Sequence, residues 1–269
     1  MENWKTTEML ITGKAYPSPS KKHKETVCTG GITRAGELIR IYPVPYRYLV
    51  SEKQYKKWAW ISVEIQKALD DPRKESYRIN EDSVRIIGEA TEDEKLKYIL
   101  DLESENHDLL DEYYEKECGS LGFIRIHPIE FYWKEASPDW GVIHQKMLDQ
   151  LRLFEPPPKL LEKIKWEFRL KFKCWNRCFV CEKGEHDKTF LTWEIYEAFR
   201  NFRNKYRGEE EGLNKVKEKF INVFSEKKYC LLLLGTHVRH KNIWMIGDFF
   251  CPNIDVVQRF KSYPTLPFR

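Results

Sequence analysis

The sequence has no apolar run of membrane-spanning length. Its longest, CLLLLG at residues 230–235, is strand-sized, whereas a spanning helix needs about twenty apolar residues. It has no G-x-x-x-x-G-K-[ST] and no G-x-G-x-x-G, so neither common phosphate-cradling loop is present. The opening MENWKTTEMLITGKAY lacks the basic start and apolar core of a secretion signal. There is no internal repeat and no long low-complexity tract. These absences predict a cytoplasmic protein without a membrane partner. Disorder is excluded as well, because aromatics make up 14% of the 269 residues and disordered chains are poor in them.

Cysteine is neither scarce nor paired. There are seven, an odd number, which in a reducing compartment argues against a disulfide framework and for metal binding or core use. Three of them and a histidine fall in CWNRCFVCEKGEH, spaced Cys174-x3-Cys178-x2-Cys181-x4-His186. Zinc takes four thiolate or imidazole ligands in a tetrahedron, and cysteines this closely spaced on a tight turn supply two or three of them. Gly184 is expected to free the backbone so that His186 can swing back to the metal. Cys230, Cys251 or His237, from a terminal hairpin, are alternative fourth ligands. The expected cofactor is a structural zinc. The less favoured alternatives are an iron–sulfur cluster and reduced cysteines packed in a core. The spacing also matches the cluster motif of radical S-adenosylmethionine enzymes. That reading is rejected, because fewer than a hundred residues follow it where a long β/α barrel would be needed.

No catalytic constellation stands out. Ser18, Ser20, His23 and Cys28 share one segment without being tied into a triad, and Cys28, in mid-strand, is expected to be core. A nuclease-like set of Asp139, Glu167 and Lys171 has poor spacing. Whether any reaction is catalysed is left open.

The net charge of +4 conceals segregation. Residues 1–60 carry eleven Lys/Arg against five Asp/Glu, residues 61–120 eight against eighteen, and the remainder twenty-seven against nineteen. Basic residues also interleave with aromatics in KAYPSPSKKHK, RIYPVPYRYL and FRNFRNKYR. Cations that neutralise phosphates beside rings that stack on bases suit single-stranded nucleic acid. The expected function is a zinc-stabilised protein that binds DNA or RNA through Lys21, Lys22, Lys24, Arg40, Arg47, Arg200, Arg203 and Arg207. A metal-dependent hydrolase of nucleic acid or nucleotides, and a protein-interaction module, are the alternatives.

Periodicity predicts strands near residues 8–14, 26–33, 37–44, 59–67, 83–90, 119–135 and 166–174. It predicts one acidic helix over 92–118, two more over 189–207 and 210–226, and a closing hairpin over 229–235 and 242–250. Three prolines at 156–158 mark a linker. The fold class is α+β: a small β-barrel-like domain over 1–90, an acidic helical connector with strands over 91–158, and a C-terminal zinc-knuckle domain over 159–269.

Overall fold

Alternating apolar residues close the first part of the chain into a barrel. The computed structural model describes residues 4–20, 22–137, 140, 161–237 and 240–262, with backbone alone at residues 24 and 240–242. The strands are β1 (Lys5–Lys14), β2 (Ser18–Ser20), β3 (Lys24–Thr33), β4 (Leu38–Val44), β5 (Ala59–Lys67), β6 (Ser76–Ile79) and β7 (Arg85–Glu89). Hydrogen bonding runs β1-β3-β4-β6-β5 and returns from β5 to β1, so five strands close on themselves. β7 extends from β5 and β2 from β3. Period-two placement sends Met9, Ile11, Val27, Ile39, Ile41, Ile61, Val63 and Ile65 into one interior cluster. Each such burial is worth about 1.5–3 kcal/mol against exposure. Gly36, at φ 83°, turns the β3–β4 hairpin, a left-handed conformation that favours glycine. Trp60 points the other way from β5 yet is buried, because Tyr98 packs edge-on at 5.4 Å and the Arg34 guanidinium lies 3.6 Å over its ring.

The acidic stretch forms two helices, not the single one predicted. α1 (Glu92–Leu100) begins in a capping box between Thr91 and Glu94. The chain then gives a short strand, β8 (Glu103–Ser104), which pairs with the following sheet. Asn106 caps a new helix, α2 (His107–Glu117), by accepting from the Leu109 amide. A side chain that satisfies an orphan amide starts a helix, and the periodicity of the acidic residues hid that restart.

The second sheet is built from β9 (Leu121–Glu135), β10 (Trp166–Cys174), β11 (His186–Thr189), β12 (Leu231–His237) and β13 (His240–Phe250), in the order β11-β10-β9-β12-β13. Among the described residues four more helices follow: α3 (Phe179–Lys183), α4 (Trp193–Tyr206), α5 (Glu209–Val223) and the unanticipated α6 (Ile254–Ser262). One face of this sheet and the pair α4/α5 share an aromatic core of Phe131, Phe168, Phe172, Phe190, Phe199 and Phe220. The α+β class, the barrel and the location of the Cys/His cluster agree with the sequence. The triple proline lies outside the described residues.

Barrel and second sheet meet through buried polar contacts. Lys57, just before β5, donates to Asp248 of β13 at 2.5 Å and to the Phe249 carbonyl at 2.8 Å. Gly13 makes room for that carboxylate: a Cβ there would stand 1.9 Å from Asp248 Oδ2. Nearby, Arg40 of β4 donates to Ser120 Oγ and to the Ser120 carbonyl, while the Glu75 carboxylate accepts from the Ser120 amide and hydroxyl.

Candidate metal centre

Strand alternation delivers the first cysteine. Phe168, Leu170, Phe172 and Cys174 share the buried face of β10. The chain then turns, and Cys178 becomes the N-cap of α3, with Cys181 inside that short helix. His186 opens β11 and pairs with Phe172 across the ladder. Gly184 is not what permits this. Its φ of −175° is extended backbone, and nothing lies within 4 Å of a Cβ built there.

The four side chains converge as the spacing predicted. One ligand atom from each of Cys174, Cys178, Cys181 and His186 falls within 4.8 Å of all the others, and all four residues are buried. The Sγ atoms of Cys174 and Cys178 are 3.8 Å apart and those of Cys178 and Cys181 3.3 Å. Nε2 of His186 lies 3.6 Å from Cys174 Sγ and 3.1 Å from Cys178 Sγ. A tetrahedral ion with bonds of about 2.3 Å to sulfur has ligand–ligand edges of roughly 3.8 Å, so the cage has the size of one ion. Cys230, offered by the sequence as a fourth ligand, instead bonds the Val223 and Ser225 carbonyls.

Burial shapes the electrostatics. It raises the thiol pKa of Cys174, against the backbone amide of His107, and that of Cys178, against the backbone amide of Cys181. Burial likewise lowers His186 to about 3, so its imidazole is neutral, the form that binds a metal. A dication reverses the cost of the thiolates, since a coordinating thiol is deprotonated outright. The Cys174 amide donates to Cys181 Sγ at 3.1 Å.

A clamp from distant sequence holds the cluster. The His186 ring lies between Phe172, at 5.0 Å, and His107 of α2, at 4.6 Å. His107 Nδ1 is 3.0 Å from Asp111, whose other oxygen accepts from Trp244 at 2.7 Å. Asn106 donates to the Arg177 carbonyl and Asp108 accepts from the Phe179 amide. The start of α2 thus grips the cysteine loop from about seventy residues away, and no local sequence signal announces it.

The same loop exposes large apolar side chains among cations. Trp175 is 45% exposed and Phe179 60%. The Arg125 guanidinium lies 3.3 Å over the Trp175 ring and the His127 ring stacks on it at 4.3 Å. Lys183 sits 4.0 Å over Phe179, and Lys173 and Arg177 are exposed beside them. Most of these residues sit inside or next to the cysteine motif, where the sequence reading attended only to the ligands.

The residues expected to bind nucleic acid are placed differently. Arg40 is 3% exposed. Arg47 pairs with Glu25 at 3.2 Å. Arg200 and Arg203 converge on Glu162. Arg207, the left-handed cap of α4, and Lys22 are exposed. Lys21 and the side chain of Lys24 lie outside the described residues. Of the nuclease-like set, Asp139 also lies outside, Glu167 pairs with Arg169 and Lys171 with Glu130. Cys28 is half-buried on the outer wall of the barrel rather than in its core.

Among the described residues, no helix is long and apolar enough to cross a membrane. No curated protein matches the chain. Residues 5–101, which hold the barrel strands, match a family model described as a domain of unknown function (DUF8758). Residues 104–264, which hold the second sheet and the cysteine–histidine cage, match another described as a domain of unknown function (DUF8757), and the chain belongs to that family.

Proposed function

We propose that the cage holds one structural zinc and that the protein, in the cytoplasm, binds single-stranded nucleic acid through the surface of the metal loop. Two features favour zinc. Three thiolates and an imidazole suit its softness. An iron–sulfur cluster places inorganic sulfides between its irons and so spreads its cysteines, whereas all four ligand atoms here lie within 4.8 Å. A structural role follows from closure: four protein ligands, all buried, leave no position open for water or substrate.

The observation that carries the nucleic-acid reading is the exposure of Trp175 and Phe179 amid Arg125, Lys173, Arg177 and Lys183. Rings offer stacking to any base, and the cations track phosphates. This moves the contact from the Arg200 helix to the metal loop. The test is fluorescence anisotropy of labelled single-stranded DNA and RNA at several salt concentrations. Binding should weaken with salt, and Arg177→Ala with Lys183→Ala should lower the slope of log affinity against log salt by about one per cation removed. Trp175→Ala should cost about 1–3 kcal/mol per stacked base. Absence of salt-sensitive binding to either polymer would remove this reading and leave the exposed Phe179 and Val180 as a protein-docking surface.

A further inference from the structure

A second site lies between the barrel and the second sheet, apart from the metal loop. The outer wall of the barrel, from Thr26 and Cys28 of β3 and Arg40 and Tyr42 of β4, faces β12 and β13 across a cavity of about 340 Å³. That volume is at the small end of the range of roughly 300–1,000 Å³ for sites that enclose metabolite-sized ligands.

The cavity has a cationic wall. Arg40 is buried, and among the described residues Ser120 takes two of its five N–H donors. The Glu75 carboxylate bonds Ser120 rather than the guanidinium. Arg73 lines the same space, its own charge answered by Asp71 and its Nη1 by the Thr236 carbonyl. Gly235 lets the Arg40 guanidinium lie against β12, since a Cβ there would be 3.1 Å from Nη2. A buried guanidinium with unused donors is costly unless an anion or water meets it.

The rest of the lining is apolar and aromatic. Tyr16 and Tyr42 supply rings, and Leu191, Leu233 and Met245 supply aliphatic surface. Tyr42 is 39% exposed, which puts a ring toward solvent and leaves the guanidinium at depth.

We propose that this cavity binds a nucleoside monophosphate, its phosphate on Arg40 and its base against the tyrosines and Met245. A free mononucleotide and the phosphorylated end of a strand share that chemistry. The site is independent of the metal-loop surface, so either reading can fail alone.

The experiment is isothermal titration calorimetry of the full chain with the four 5′-monophosphates, their nucleosides, inorganic phosphate and a 5′-phosphorylated trinucleotide. At least one monophosphate should bind at one per chain, at least about tenfold more tightly than its nucleoside, the worth of a charge-assisted contact. Arg40→Met should abolish that difference. Because Arg40 also holds Ser120 in the fold, Met245→Trp provides a second arm: it fills the cavity from a half-buried position and should eliminate binding while the circular dichroism spectrum is kept. The trinucleotide binding more tightly than the monophosphate, with the same sensitivity to Met245→Trp, would identify a strand end as the ligand. Failure of all four monophosphates and the trinucleotide to saturate at millimolar concentration would overturn the proposal. So would inorganic phosphate binding as tightly as the nucleotides, or binding that survives Met245→Trp.

Discussion

Nζ of Lys57 and Oδ1 of Asp248 lie 2.5 Å apart, joining the barrel to β13 through a carboxylate whose side chain is 4% exposed. Removing one partner of a buried pair strands the other's charge, at a cost of about 3–5 kcal/mol. Lys57→Met should lose stability of that order in urea unfolding. The double variant Lys57→Met/Asp248→Leu should recover much of it, because no charge is then left unpaired. Equal losses in the single and double variants would show that the pair does not act as a unit.

Gly13 is tied to the same carboxylate. Gly13→Ala places a Cβ 1.9 Å from Asp248 Oδ2, and overpacking of this kind costs about 1–3 kcal/mol. Combined with Asp248→Ala, the loss should be less than additive, since Oδ2 and Cγ are gone and only the Cβ of residue 248, at 2.5 Å, still crowds the new methyl. Thermal melts of the three variants measure this.

Lys14 gives a pH dependence. Its Nζ donates to the Tyr55 carbonyl at 2.8 Å and sits 3.8 Å over the Tyr46 ring. Burial, opposed by Asp248, lowers its pKa from 10.5 to about 8. Between those values the unfolded chain holds the proton that the native chain has lost, so this group raises stability as pH rises through the window. Below the lower value its contribution is constant. Lys14→Met should lose that rise: relative to the parent, the variant should become less stable by on the order of 2 kcal/mol between about pH 7 and about pH 10. A difference that does not change with pH would contradict the lowered pKa.

Arg200 and Arg203 should be silent in nucleic-acid binding. Arg200 Nε is 3.2 Å from Glu162, Arg203 also bonds Glu162, and Glu197 takes a second bond from Arg200. Replacing both with Gln should leave the salt slope unchanged, whereas Arg177→Ala and Lys183→Ala should reduce it. The opposite pattern would return the contact to α4.

What the sequence disclosed follows from locality. The four candidate ligands fall within thirteen residues, so spacing alone predicted their convergence. The strands of the barrel and of β10 show period-two burial that composition makes visible. Closure of β1 onto β5 and the grip of Asn106, His107 and Asp108 on the metal loop depend on long-range packing, which no periodicity encodes. That Glu162 receives Arg200 and Arg203 was not legible, because a basic helical face looks the same whether solvent or a carboxylate meets it. Arg40 read as a surface cation in RIYPVPYRYL, yet strand parity turns it outward from the barrel and the second sheet buries it there.

The central claim is that one zinc closes the Cys174, Cys178, Cys181 and His186 cage. Elemental analysis with a visible spectrum, on protein purified without oxygen, tests it most directly. The account predicts one zinc per chain, no colour, and loss of both metal and thermal stability in Cys178→Ser. Iron with sulfide and a brown chromophore, or no metal at all, would contradict it.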